Sequence, residues 1–131
     1  MKFLIILLIL FSTTSLAFAD TGYVSAQISS DVNTLTVGNQ IMITTDISNN
    51  QNTQQSFAYL TQVKDEHQAV ISLSWLTGSL SPRQSFSPAQ SWTPTESGLY
   101  VIEIFVWESI DNPEALSPPL SMTVTVVDPN T

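Results

Sequence analysis

The feature that most constrains the fold is a strict two-residue alternation of apolar and polar side chains, repeated in short runs. In Ile41–Ser48, Ile41, Ile43, Thr45 and Ile47 fall on one side, with Met42, Thr44 and Asp46 on the other. In Leu120–Val127, Leu120, Met122, Val124 and Val126 alternate with Ser121, Thr123 and Thr125. Period two is the side-chain repeat of a strand with one buried face. From Asp20 onward no segment carries a 3.6-residue apolar stripe, so helices are not expected.

Turn-forming residues separate the runs. Tyr23–Ser29 and Leu35–Val37 read as a first, broken strand, followed by the turn Val37-Gly38-Asn39-Gln40. Residues 49–56 contain no apolar side chain and read as a loop. Phe57–Lys64 is a strand with Phe57, Tyr59, Thr61 and Val63 on one side. The turn Asp65-Glu66-His67-Gln68 leads to a strand at Val70–Leu76, and a turn around Gly78 is expected over Thr77–Pro82. Gln84–Trp92 holds Pro88, which cannot donate to a ladder, so this strand belongs at an edge or breaks there. Leu99–Glu108 is the longest β run. About seven strands at this spacing predict an all-β antiparallel sandwich, with an up-and-down barrel as the competitor.

The first nineteen residues differ from the rest. Lys2 precedes the apolar run Phe3–Phe11, and Ala17-Phe18-Ala19 precedes Asp20. This is the pattern of a secretory signal peptide cleaved after Ala19. The run is short of the ~20 apolar residues that span a bilayer, and no second apolar span follows, so no membrane insertion is expected after cleavage. A single domain over residues 20–131 is expected, secreted or at the cell surface.

Composition then removes function classes. The chain has no cysteine, hence no disulfide and no thiolate chemistry. Its net charge of −8 opposes a nucleic-acid partner. One histidine argues against a histidine-based metal site or triad. Nucleotide-binding glycine patterns and the Gly-x-Ser-x-Gly elbow are absent from the sequence. Asp65-Glu66-His67 reads as a solvated turn rather than a calcium site, which needs six to eight oxygens from several segments. The acid pairs Glu103/Glu108 and Asp111/Glu114 have the residue types of paired catalytic carboxylates. Alternation instead sends Glu103 outward, where it is expected to pair with Lys64 on a neighbouring strand. No catalytic, cofactor or metal residues are assigned.

The stretch Glu96-Ser97-Gly98-Leu99-Tyr100-Val101-Ile102 resembles the tyrosine corner of immunoglobulin-like (Ig-like) domains, with Ile102 where the second core cysteine stands. The resemblance implies that the Tyr100 hydroxyl bonds to upstream backbone and that Gly98 permits a tight approach. It also implies that Ile43 or Ile47 replaces the first cysteine, so that aliphatic packing stands in for the disulfide, as in fibronectin III-like relatives. Trp92, two residues before Pro94 and opposite this corner, is expected to cap the core. Phe57-x-Tyr59, Gln62-Val63-Lys64-Asp65, Leu73-x-Trp75, Ser91-Trp92-x-Pro94, Phe105-Val106-Trp107 and Pro113-x-x-Leu116 extend the likeness. The whole series is similar to Ig-like domains of secreted or cell-surface archaeal proteins.

With Tyr100, Ile102, Ile104 and Val106 inward, Val101, Glu103, Phe105 and Trp107 face outward. Phe105 and Trp107, flanked by Ala58 and Leu60, are then a candidate interaction face for another cell-surface or extracellular protein. A register-flipping bulge near Phe105, or cover by the Asp111–Pro119 loop, is the alternative. Trp75, at the end of its strand, is left either packed or exposed. The expected function is a non-catalytic structural or protein-binding module. A protease inhibitor presenting the Asp111–Pro119 loop, or a calcium- or carbohydrate-binding accessory domain, is the alternative.

Overall fold

A computed structural model describes residues 23–30 and 32–129. The expected signal peptide lies outside the described residues. Nine strands form in the order β1 (Val24–Ile28), β2 (Thr34–Thr36), β3 (Ile41–Asn49), β4 (Gln55–Lys64), β5 (Val70–Leu80), β6 (Ser85–Phe86), β7 (Ala89–Trp92), β8 (Gly98–Trp107) and β9 (Leu120–Val127). No helix occurs among the described residues.

The strands form two sheets packed as a sandwich. One sheet is built on β3, which pairs antiparallel with β1 on one edge and with β6 and then β7 on the other. The second runs β2-β9-β8-β4-β5, antiparallel except for the short parallel pair β2·β9. The first strand is broken because it changes sheets: Val24–Ile28 pairs with β3, and Thr34–Thr36 pairs with β9. Ser87-Pro88 splits the irregular edge segment into β6 and β7, as proline requires. The Pro88 carbonyl still accepts from Thr45 N–H at 3.2 Å, so the interruption leaves no orphan donor there.

The alternating faces meet between the sheets. Ile43, Ile47, Tyr59, Val63, Ile102, Ile104, Val106 and Val124 are all fully buried. Ile43, Ile47 and Ile102 belong to one apolar cluster, so aliphatic packing fills the space between the sheets of this cysteine-free chain. A fully buried polar link joins the two sheets: the Tyr59 hydroxyl on β4 donates to Thr45 Oγ1 on β3 at 2.8 Å.

One turn lies elsewhere than the sequence suggests. Gly78 does not turn the chain. It pairs with Phe57 inside the β4–β5 ladder, and the turn comes later, where Gln84 N–H donates to the Ser81 carbonyl. A Cβ on Gly78 stands 3.3 Å from the Phe57 ring, so glycine makes room for that ring. Trp75 therefore sits in mid-strand and not at a strand end. Asn49, read as the start of a loop, is the buried last residue of β3. Its amide donates to the Thr53 and Ser81 carbonyls and its Oδ1 accepts from Gln51 N–H, tying two turns together.

Candidate functional site

The outward residues of β8 continue across the second sheet in rows set by the strand register. Thr77, Ala58 and Trp107 make one row, Trp75, Leu60 and Phe105 the next, and Leu73, Gln62, Glu103 and Ser121 the third. Directly paired residues in an antiparallel ladder share a face, so these rows form the outer face of the sheet. Its character changes with position. The first two rows are largely apolar, and the third carries Glu103, which accepts from the Gln62 amide and pairs with Lys64 Nζ at 3.3 Å. Both partners of that ion pair are partly exposed, so its contribution is about 0–1 kcal/mol.

Phe105 and Trp107 do face outward, and no bulge flips β8: the burial pattern alternates without a break. Neither ring is fully bare. The rings lie 5.9 Å apart, tilted by 44°, and Leu60, 7% exposed, is buried between the neighbouring strands. Segment 108–119 folds back along the end of β8. Leu116 N–H donates to the Val106 carbonyl, Glu108 N–H donates to the Glu114 carbonyl, and Ala115 bridges to Trp107. Between this segment and the rings remains a hollow of about 270 Å³, walled by Phe105, Trp107, Pro113, Ala115 and Pro119. Ser117 also lines it, and the buried Ser117 Oγ has no hydrogen-bond partner among the described residues.

A larger cleft, about 420 Å³, lies at the end of the sandwich where the Asp65–Ala69 turn approaches the Thr93–Leu99 corner. Asp65 Oδ1 accepts from the backbone N–H groups of His67 and Ala69, at 2.8 and 3.0 Å. The Ala69 bond first, then the His67 bond, holds the Asp65 carboxyl below its ordinary value of 3.8. Tyr100 donates its hydroxyl to the Glu96 carbonyl at 2.7 Å, and its ring meets Trp92 edge-on at 5.1 Å. Burial, then the Glu96, Asp65 and Glu66 carboxylates, raise the Tyr100 phenol above 10.0. Gly98 serves this corner differently from the expectation. A Cβ there meets nothing closer than 3.9 Å, so no tight approach requires glycine; its φ of +147° does.

Among the described residues no group of three or more His, Cys, Asp or Glu side chains is placed to hold a metal ion. Of the carboxylates considered for catalysis, Glu103 is engaged with Lys64 and Gln62, and Glu108 accepts from the Asn112 amide.

The sequence reading passed over the outer face of β5. Val70, Leu73 and Trp75 are each about half exposed there (51%, 49% and 56%), and Ile71 adds 47% at the bulge where β5 and β4 shift register. The signal was present, since Leu73 and Trp75 are spaced by two, but the spacing assigns no face until the strand's place in the sheet is known.

The model of the S-layer A-like family matches residues 14–128. Among solved structures, the CARDB domain of a Pyrococcus furiosus protein, crystallised with di-metal ions, is similar at 18% identity. Its TM-score is 0.61, with 79% of this chain and 90% of that one covered. The solution structure of the same domain matches at 20% identity with a TM-score of 0.64, covering 83% and 98%. A β-glucosidase from Listeria innocua matches at 14% identity and a TM-score of 0.62 over 79% of this chain, which spans 16% of the enzyme. No curated protein matches. These structural likenesses establish the fold: an Ig-like β-sandwich.

Proposed function

The chain belongs to the S-layer A-like family, and on that premise we propose that it is a non-catalytic Ig-like module of the cell surface. It works by contact with another surface or extracellular protein. The contact face is the Phe105–Trp107 end of the outer sheet face, with Leu60 paired to Phe105 on the neighbouring strand.

The observation that carries this reading is the hollow beside those rings. Aromatic and proline walls with a single unpartnered hydroxyl, from Ser117, suit an apolar side chain or a turn of a partner that brings one polar group. A buried hydroxyl left without a partner costs about 1–3 kcal/mol, which a bound partner's carbonyl or amide recovers. Aromatic anchors seated beside a pocket are the common centre of protein interfaces. The engagement of Glu103 and Glu108 with their neighbours supports the non-catalytic part of the reading.

The test is capture from a cell-envelope extract of the source organism, with the purified protein as bait. Trp107→Ala and Pro113→Glu are compared with the unaltered chain. Pro113 is an exposed wall of the hollow, so the glutamate alters the rim without entering the core. A partner retained by the unaltered chain and weakened at least about tenfold by Pro113→Glu, a loss of about 1.4 kcal/mol, supports the proposal. Equal retention by both folded variants refutes it.

A further inference from the structure

We propose that β5 is an assembly edge: it pairs antiparallel with β5 of a second copy of this chain, joining two five-stranded sheets into one. The inference concerns the edge of the sheet rather than the hollow at Phe105 and Trp107, so either can fail without the other.

Three observations lead there. First, β5 ends the order β2-β9-β8-β4-β5 and is the longest strand, at 11 residues. Its far side offers a row of main-chain donors and acceptors. Exposed edges of soluble proteins are ordinarily blunted by lysine, proline, inward charge or short length. Val70–Leu80 has no charged residue and no proline, and its one irregularity is the register shift near its start. On the inner side of this edge the Ser74 hydroxyl donates to Gln90 Oε1 on the other sheet.

Second, the outward side chains of this edge are large, apolar and half exposed. Val70, Leu73 and Trp75 are each about half exposed on that side, a patch on the order of a few hundred Å², which is within the range of functional surface patches and makes a small interface. An association that is micromolar or weaker is therefore expected.

Third, the strand is complementary to itself. A two-fold axis at Ser74 sets Leu73 opposite Trp75 of the second copy, twice, on one face of the joined sheet, and keeps the register shift outside the central pairs. Antiparallel pairing also carries the acidic Asp65–Glu66 turn of each copy towards the Arg83 turn of the other. Arg83 donates to Asn52 Oδ1 and has no ion pair among the described residues. For a chain of net charge −8, a charge-free strand flanked by one acidic and one basic turn is where two copies meet with least repulsion.

Sedimentation across a concentration series tests this, together with two single substitutions. The unaltered protein is expected to shift from monomer to dimer. Leu73→Lys sets a charge on the edge and removes an exposed leucine, so the fold stays while the dimer constant weakens about tenfold or more. Ser74→Cys gives the chain its only thiol, on the two-fold axis. Opposed Cα atoms about 4.5–5.5 Å apart lie within disulfide reach, so mild oxidation is expected to give a covalent dimer. Met42→Cys, on the outer side of the other sheet and 53% exposed, is the control and stays monomeric. A protein that remains monomeric throughout overturns the proposal. So does a dimer that Leu73→Lys leaves unchanged, or one that Met42→Cys traps as readily as Ser74→Cys.

Discussion

The hydrogen bond between Tyr59 and Thr45 can be dissected by a double-mutant cycle. Both residues are fully buried, and the bond, at 2.8 Å, joins the two sheets through the middle of the sandwich. Tyr59→Phe removes the donor and strands the Thr45 hydroxyl. Thr45→Val keeps the shape, removes the acceptor and strands the Tyr59 hydroxyl. Each single change loses a bond whose net value is about 1 kcal/mol and leaves an orphaned group costing about 1–3 kcal/mol, so each should cost about 2 kcal/mol. The double variant has neither group left to satisfy and should cost about 1 kcal/mol or less. The coupling is then about 3 kcal/mol, at the top of the range for a neighbouring pair. Urea titration monitored by tryptophan fluorescence reads all four corners. A domain of this size loses roughly 4 °C in Tm per kcal/mol, so melts should show the singles down by about 8 °C with recovery in the double. Single variants within about 0.5 kcal/mol of the parent, or a double variant equal to the sum of the singles, would refute the reasoning.

Other perturbations follow from the corner and the turn. Gly98→Ala forces a side chain onto a φ of +147° and should cost about 1–3 kcal/mol in a denaturant titration. Tyr100→Phe loses the bond to the Glu96 carbonyl and should cost about 1 kcal/mol. The folded chain holds the Tyr100 phenol above 10.0, so the unfolded chain ionises first; this contribution is complete below pH 10.0 and is lost as pH rises through the folded value. Tyr100→Phe should flatten part of that alkaline decline. Asp65 has the opposite sign. Its carboxyl lies below 3.8, so its contribution is present above that value and lost as pH falls through the folded value. A stability profile of Asp65→Ala should show a shallower acid limb.

Much of the sandwich was legible because a buried face imposes period two on the chain. Ile41–Ser48 and Leu120–Val127 alternate cleanly and stand as strands where the alternation places them. Pro88 marked the broken edge, and the Glu96–Ile102 stretch marked the corner, down to the hydroxyl bond of Tyr100. Lys64 and Glu103 were paired from alternation and the strand order that the Ig-like resemblance implies, and they meet at 3.3 Å. The failures share one cause. Gly78 looks like a turn by local preference, but it lies in the ladder where a Cβ would stand a tight 3.3 Å from the Phe57 ring on the paired strand. Asn49 looks like loop composition, but three backbone groups from two turns converge on its amide. Cover of Trp107 by the Asp111–Pro119 loop stood as an alternative in the sequence, and segment 108–119 does fold back on it; the apolar edge on β5 depends on which strand ends the sheet. Each of these is a fact about a distant neighbour, which no local pattern encodes.

The most direct test of the surface-contact account is cysteine footprinting in the intact envelope, which the absence of native cysteine allows. Pro113 is an exposed wall of the hollow beside Phe105 and Trp107, and Met42 lies on the outer side of the other sheet, also exposed. Single Pro113→Cys and Met42→Cys variants, each produced in the source cell, are labelled with a membrane-impermeant maleimide and compared with the purified proteins. Slow labelling at residue 113 in the envelope, restored on purification, with residue 42 equally reactive in both settings, is the predicted result. Equal labelling of the two sites in the envelope would contradict the account, since the proposed contact face would then be open to solvent where it should be occupied.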